Sequence, residues 1–483
     1  MNLADNLKNS AERFPDRPAV VFYDRVIRYE QLYADALRFA GALGEMGMSR
    51  GDRMAIAIPN VPEYPVALYG AFAAGVEVVT INPLYSAREI EYMLKDGGVK
   101  LAIMHPMFEP PVREAAANAG TKLLYSDSMG DPAKRDMKKA MSEAASAPAP
   151  ADLDPNHTAA IIYTNAWRGY PLGACLTHLG LMTNARSSVV TASAHEDDAF
   201  LTVIPLFHAF ACTTCLHLPF LAGAKTVLHE MFSEDRVMAD LKKEKISVFP
   251  NVPTINKRLL DKFGSAGSDL SFVRAIVPGG APLTDDLYGG LVEKLNANVY
   301  QGYGITECGP VTSVNPMRGR EFVKAGSVGP PIEGITVKVV DENGEALSTG
   351  ETGELCVRGG NVMREYLGKP EDTAMFLKDG WLFSGDLARI DEDGYIYITG
   401  HKKRLVLVGG FNVYPQEVEA LLGAHPAVES CRVFGVPDDS LGERVMAEAK
   451  LRSGASAEPG ELRKFLRSAL APYKVPRRVD IIE

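Results

Sequence analysis

Along the first third of the chain, apolar positions switch between two periods. Residues 1–50 read as helices around a short hairpin, Ala19 to Tyr29. Met54 to Ile58 is an apolar run that Pro59 ends, and Val61 to Ala74 has helical spacing. Val76 to Ile81 reads as a strand, Ala87 to Asp96 as a helix and Lys100 to Met104 as a strand. Apolar strands alternating with amphipathic helices predict βαβ units and a mainly parallel sheet covered by helices. Ala144 to Pro155, rich in Ala, Pro and Asp, reads as an exposed linker.

The alternation resumes with a buried strand, His157 to Ile162. Tyr163-Thr-Asn-Ala-Trp-Arg-Gly-Tyr-Pro-Leu-Gly173 follows, then a helical pattern from Leu179 to Val190. Strand, Gly/Pro loop and helix is the layout of a phosphate-cradling turn, with an ordinary strand-to-helix connection as the competing reading. Phe200 to Ile204, Lys225 to Leu228, Ile246 to Phe249, Phe272 to Val277 and Asn298 to Gln301 continue the strand pattern. Three of these runs end in turns that look functional: Pro205-Leu-Phe-His208, Pro278-Gly-Gly-Ala-Pro282 and Gly302-Tyr-Gly-Ile-Thr-Glu307. Ligands of open α/β sheets gather at the carboxyl ends of strands, so these turns are expected to share one crevice with 163–173. Ser327 to Thr399 is Gly-rich with short alternating strands, such as Ile335 to Val340 and Glu354 to Val357, and predicts a small β subdomain. From about Lys402 a small α+β unit follows, with strands at 405–408 and 431–436 and helices at 415–422 and 458–469.

Composition narrows the class. A chain of 483 residues allows two or three domains, at roughly 150 residues each. Its formal charge of −10, without Lys/Arg runs interleaved with aromatics, argues against nucleic-acid partners. No basic-then-apolar leader opens it, and no apolar stretch reaches the roughly 20 residues that span a bilayer. Six cysteines are too sparse for a disulfide framework, so a cytoplasmic location is expected. His208, Cys212, Cys215 and His217 have metal-ligand chemistry but sit in one apolar helical run. Four ligands there cannot all face one ion, so core packing is expected for the cysteines.

The order of motifs resembles the adenylate-forming superfamily of acyl-CoA synthetases, luciferases and nonribosomal adenylation domains, over the whole chain. Tyr163, Thr164, Gly169, Pro171 and Gly173 keep the frame of its Y-T-S-G-T-T-G-x-P-K-G loop. Gly302-Tyr-Gly-Ile-Thr-Glu307 matches Y-G-x-T-E, and Gly353-Glu-Leu355 matches G-E-L. Gly380-Trp-Leu-Phe-Ser-Gly-Asp386 matches G-W-x-x-T-G-D, with Ser384 for Thr, and Gly409 to Glu419 matches G-x-N-V-x-P-x-E-I-E. The resemblance implies a large N-terminal part, 1–400, of parallel-rich αβα sheets with the β subdomain at about 327–400. It also implies a small mobile α+β domain, 401–483, hinged at Lys403 and truncated at its end.

It further implies the roles. An acid attacks the α-phosphate of ATP to give acyl-AMP, and the coenzyme A thiol then displaces AMP. Tyr303 would face adenine, with Gly280 and Ala281 in close approach, and Asp386 would accept the ribose hydroxyls. Thr164, Gly169, Gly173 and His401 would complete the nucleotide site. Thr306 and Glu307 would hold the α-phosphate and Mg²⁺, with Glu307 as the metal ligand. His208 would line the acyl channel with Phe207, Phe210, Asn251, Val252, Gly302 and Gly304, and Gly409 and Gly410 would meet coenzyme A. Expected partners are a small-molecule acyl substrate and a nucleotide, with a homodimer as one possible assembly.

Four departures bear on mechanism. Asn165, Ala166, Trp167, Arg168 and Leu172 stand where the family's loop has small hydroxyl residues, glycine and lysine. In Gly400-His-Lys-Lys-Arg404, His401 replaces the family's Arg and Arg404 its Asp. The sequence stops before the family's P-x-x-x-x-G-K segment, whose lysine contacts the carboxylate. Phosphate stabilisation is mostly electrostatic, so weak adenylation is expected. Three readings follow: an acyl-CoA ligase for a hydrophobic acid, a relative that only transfers acyl from acyl-AMP to coenzyme A, or a catalytically silent acyl or nucleotide binder.

Overall fold

The apolar runs become two sheets in a computed structural model, which describes residues 1–131, 133–164, 169–402 and 404–482. One sheet has the order Ala275–Pro278, Val248–Asn251, Ala199–Thr202, Lys225–Leu228, Pro18–Phe22, Arg25–Arg28. It is parallel except for the hairpin of its last two strands. The second has the order Glu365–Tyr366, Leu172–Thr177, Thr158–Thr164, Glu77–Thr80, Arg53–Ala57, Val99–Met104, Lys122–Tyr125. It is parallel except at its first two pairings. Glu77–Thr80 and Leu172–Thr177 are buried at every position, as strands covered on both faces are. A single core joins side chains of both sheets, among them Val20, Ile56, Ile162 and Phe200.

Here the pattern reading needs two corrections. The segment after the 163–173 loop is a strand, Leu172–Thr177, antiparallel to Thr158–Thr164, and the helix His178–Ala192 starts only after it. The loop therefore closes a hairpin, and no helix N-terminus follows it directly. A six-residue run of small and β-compatible side chains was too short to separate from a helix start by period alone. Asn298 to Gln301 is likewise no strand; it contributes one bridge, Ile276 to Val299. The strand lies just beyond, at Gly302–Gly304, paired with Val311–Val314.

Ile335–Val340, Gly353–Gly359, Trp381–Ile390, Leu377–Lys378 and Ile396–His401 form an antiparallel sheet, the β subdomain. The C-terminal α+β domain is built on a sheet of Phe411–Val413, Val406–Val408, Gly442–Leu451, Val428–Asp438 and Val479–Ile482. Its apolar core runs from Val406 to Val479 and is separate from the large one. The chain is thus bilobal, a large mixed-sheet α/β region followed by a smaller α+β domain.

Candidate active site

A cleft of about 880 Å³ lies between the two lobes. The carboxyl ends of the first sheet's strands feed it, so Pro205 and His208, Gly280 to Leu283, and Gln301 to Glu307 all line it, with Thr164 and Pro171 from the 163–173 hairpin. The β subdomain adds Ser384, Gly385, Asp386 and His401, and the C-terminal domain adds Gly409 to Asn412, Tyr473 and Lys474. A second, apolar cavity of about 90 Å³ opens behind Gly302–Gly304. Phe210, Gly280, Gly302, Tyr303, Gly304 and Pro310 line both, and so mark the junction.

Tyr303 sits on the ribbon at that junction, and its hydroxyl donates to Asp386 Oδ2 at 2.5 Å. Asp386 Oδ1 is 2.6 Å from His401 Nδ1, because the two residues are ladder partners in the β subdomain. Loss of hydration and the neighbouring carboxylate push the Tyr303 phenol well above its usual pKa. The hydrogen bond to Asp386 raises that of His401. Both Asp386 oxygens are therefore engaged, each with one lone pair left for a ligand. Glu307 is buried, and the Tyr366 hydroxyl donates to its Oε1 at 2.6 Å.

His208 faces the cleft beside Phe207 and Phe411, where loss of hydration lowers its pKa to about 4. A neutral imidazole is thus the state it offers. Phe210, Val252, Ala281 and Thr306 line the cleft. Phe207 and Asn251 line neither recess. Asn251 is fully buried and exchanges two hydrogen bonds with Asn256, so its amide is committed to the core. Gly169 and Gly173 also stay out of the cleft. Gly169, at φ +87°, lies against the C-terminal domain; a Cβ there would stand 3.1 Å from Ala420 Cβ. Leu172 is buried in the main core. Asn165 to Arg168 and Lys403 lie outside the described residues.

The Cys/His run packs as core. Cys212, Cys215 and His217 are buried, and His217 bonds Tyr69 at 2.9 Å and Cys212 at 3.4 Å. His208 points to the cleft instead. Among the described residues no three His, Cys, Asp or Glu side chains gather around one point.

The seam between the lobes holds residues that sequence reading missed. Lys474 Nζ is 2.8 Å from Glu89 Oε1 of the large lobe, and 2.8 and 2.9 Å from the two oxygens of Glu417 in its own domain. All three are more than nine-tenths buried. Burial opposes the ammonium charge, yet the two carboxylates win and raise the Lys474 pKa. Glu89 is itself the third residue of helix Ala87–Asp96 and closes its capping box, and the box's Ser86 hydroxyl donates to Ala469 O across the seam. Phe411 stacks on Tyr473 at 4.6 Å. Ser86-x-x-Glu89 was a readable helix-start signal, and a lone Lys in Leu470-Ala-Pro-Tyr-Lys-Val-Pro476 a readable buried-charge signal. Nothing local, however, tells that the two meet.

The family model for AMP-binding enzymes matches residues 7–367, and that for the AMP-binding enzyme C-terminal domain matches 417–483. The chain belongs to the AMP-binding enzyme family. The long-chain-fatty-acid–CoA ligase of Bacillus subtilis is 33% identical over 98% of this chain and 90% of its own. The feruloyl-CoA synthase of Amycolatopsis sp. is 34% identical over 98% of this chain and 93% of its own. A double mutant of o-succinylbenzoate CoA synthetase from Bacillus subtilis, bound with its product analogue OSB-NCoA, superposes with a TM-score of 0.90 at 27% identity, over 99% of this chain and 94% of that one. The same synthetase in complex with its acyl-adenylate intermediate gives 0.75 at 28% identity over the same shares. This AMP-binding enzyme thus has relatives among ligases of several acids. The similarity supports adenylate-forming CoA-ligase chemistry in general. Among the described residues no helix is long and apolar enough to cross a membrane.

Proposed function

We propose that this protein joins a hydrophobic carboxylic acid to coenzyme A through acyl-AMP. The observation that carries this reading is the meeting of two recesses at Tyr303. The polar one is set with Thr306, Glu307 and Asp386, and the apolar one has no charged side chain in its lining. Adenosine and the α-phosphate would occupy the first and the acyl group the second. The reacting carboxylate would then lie at the glycine rim, Gly302 to Gly304, where the absence of side chains lets it approach the backbone. His208, neutral and beside the junction, would line the carboxylate's approach without adding charge. Gly409 and Gly410, at φ +60° and +88°, would let coenzyme A pass between the lobes, with Gly410 against Val252. Mg²⁺ fits Glu307 as its one protein carboxylate, since this ion is commonly held by one or two carboxylates plus substrate phosphates; it would neutralise phosphate charge. The domain limits 1–400 and 401–483, with a hinge at Lys403, belong to this proposal.

A second reading, transfer from acyl-AMP alone, is favoured by Leu172. Where the family's loop has lysine, this side chain is buried in the core and supplies no charge to phosphate. Acid-dependent exchange of pyrophosphate into ATP decides between them. Exchange supports the two-step ligase. Thioester formation from supplied acyl-AMP without exchange supports transfer alone, and neither signal removes both.

A further inference from the structure

The apolar cavity behind Gly302–Gly304 carries information about the acid. Besides the Tyr303 phenol, which donates to Asp386, four Ser and Thr hydroxyls line it: Ser188, Thr191, Thr214 and Ser313. Three are already satisfied by carbonyl oxygens. Thr191 donates to Ser187 O at 2.8 Å, Thr214 to Phe210 O at 2.7 Å and Ser313 to Val328 O at 3.0 Å. Ser188 is only 6% exposed, and its Oγ has no hydrogen-bond partner. A helical serine can bond back to the carbonyl one turn earlier, as Thr191 and Thr214 do, so an unpartnered one stands out. Burying a hydroxyl unpaired is unfavourable unless a ligand completes the bond.

Its position fits that role. Ser188 lines this cavity and not the inter-lobe cleft, so it lies off the junction that the two recesses share. The space between is small and lined by the rings of Phe200, Phe210 and Tyr303. At about 90 Å³, it is no larger than an engineered cavity of about 150 Å³ that takes benzene. Phe210 walls it so closely that a Cβ on Gly279 would stand 3.1 Å from its ring, and a Cβ on Gly304 would collide with Pro310 O at 2.3 Å. A long alkyl chain needs several times this volume.

We propose, building on the acyl-AMP reading above, that the acid is a compact, ring-bearing one with a hydrogen-bonding substituent remote from its carboxyl group. Ser188 meets that substituent. Calorimetric titration of the full chain with three non-hydrolysable acyl-sulfamoyl adenosines tests this: 4-hydroxybenzoyl, benzoyl and hexadecanoyl. The hydroxylated ligand binds about five-fold tighter than the benzoyl one, and the hexadecanoyl ligand at least about ten-fold weaker than either, since it overfills the cavity. Ser188→Ala brings the first ratio close to one. It does so without lowering the thermal midpoint, because no hydrogen bond of the free protein is lost. A hexadecanoyl ligand that binds tightest, or a hydroxyl preference that survives Ser188→Ala, overturns the proposal and leaves the acyl-AMP reading standing. Binding of none of the three removes both.

Discussion

The cavity behind Gly302–Gly304 has no charged side chain in its lining, whereas the seam on the other side of the same cleft buries Lys474 between Glu89 and Glu417. The two regions solve different problems. An acyl pocket must offer volume and exclude water, and apolar walls do this without directional demands. A seam between lobes must come to one relative position. A charged triad suits that task because it is satisfied in one geometry only, although its desolvation makes it a poor source of net stability. The trio also carries a net charge of −1 when all three groups are ionised, so the two carboxylates depend on the single ammonium. Removing that ammonium should be far worse than removing any one apolar contact in the cavity.

This gives the largest expected effect. Lys474→Met leaves Glu89 and Glu417 buried without a counter-charge, at a cost of about 3–5 kcal/mol. Early unfolding of the C-terminal domain, or its separation from the large lobe, should appear in limited proteolysis and in the solution radius. A triple variant, Glu89→Leu with Glu417→Leu and Lys474→Met, should recover most of the loss, because a packed apolar trio lacks the desolvation penalty. If the single variant melts and scatters like the parent, the contrast between the two regions disappears.

Next in size is Tyr303→Phe at the junction. It deletes the donor to Asp386 Oδ2, worth about 1.5–3 kcal/mol for a bond to a charged group. The ring stays for adenine, and the freed oxygen becomes available to ribose. The expected result is a lower thermal midpoint with unchanged or tighter AMP binding, and a loss of both together would place the hydroxyl in nucleotide recognition itself. Smaller still is Gly304→Ala. Its Cβ would collide with Pro310 O, and accommodating it costs about 1–3 kcal/mol through a shifted ribbon. Affinity for acyl-AMP mimics should drop more than affinity for AMP, since the ribbon walls the cavity. Equal losses would show that the two recesses are not separable.

Much of this was legible in sequence, and the gaps have a common cause. Glu77–Thr80, Lys225–Leu228 and Ile335–Val340 were readable because each is a short β-rich run bounded by turns. Leu172–Thr177 was given no element because its partner strand, which makes it a hairpin arm, contributes no signal to its own residues. Tyr303, Asp386 and Glu307 were placed by family motifs, but the bond between Tyr303 and Asp386 spans 83 positions and has no local trace. Glu89 and Lys474 are farther apart still. Phe207 and Asn251 were assigned to the acyl pocket by the family resemblance alone. Asn251 is held in the core by the hydrogen bonds it exchanges with Asn256, and Phe207 is buried in the turn before His208.

The smallest effect is a pH dependence at the junction. His401 holds Asp386 Oδ1, and that hydrogen bond raises its pKa above the ordinary histidine value of 6.5. The sign follows from linkage: a group with a raised folded-state pKa adds stability that is fully present below 6.5 and is lost as pH rises through the folded value. The lower-numbered side of that window keeps Asp386 doubly engaged, by Tyr303 and by imidazolium. Above it, the neutral imidazole holds Oδ1 less strongly, and a ribose hydroxyl competes for it better. AMP affinity measured from pH 6 to pH 8.5 should therefore rise modestly with pH, while the thermal midpoint falls slightly. His401→Asn should flatten both trends. The seam's ammonium gives no such response, because Lys474, its pKa raised by two carboxylates, stays charged throughout that range. An AMP affinity that is flat with pH in the unmodified chain would show that the imidazole does not compete for Asp386. The junction would then resemble the seam, with a charge pairing fixed across the working range.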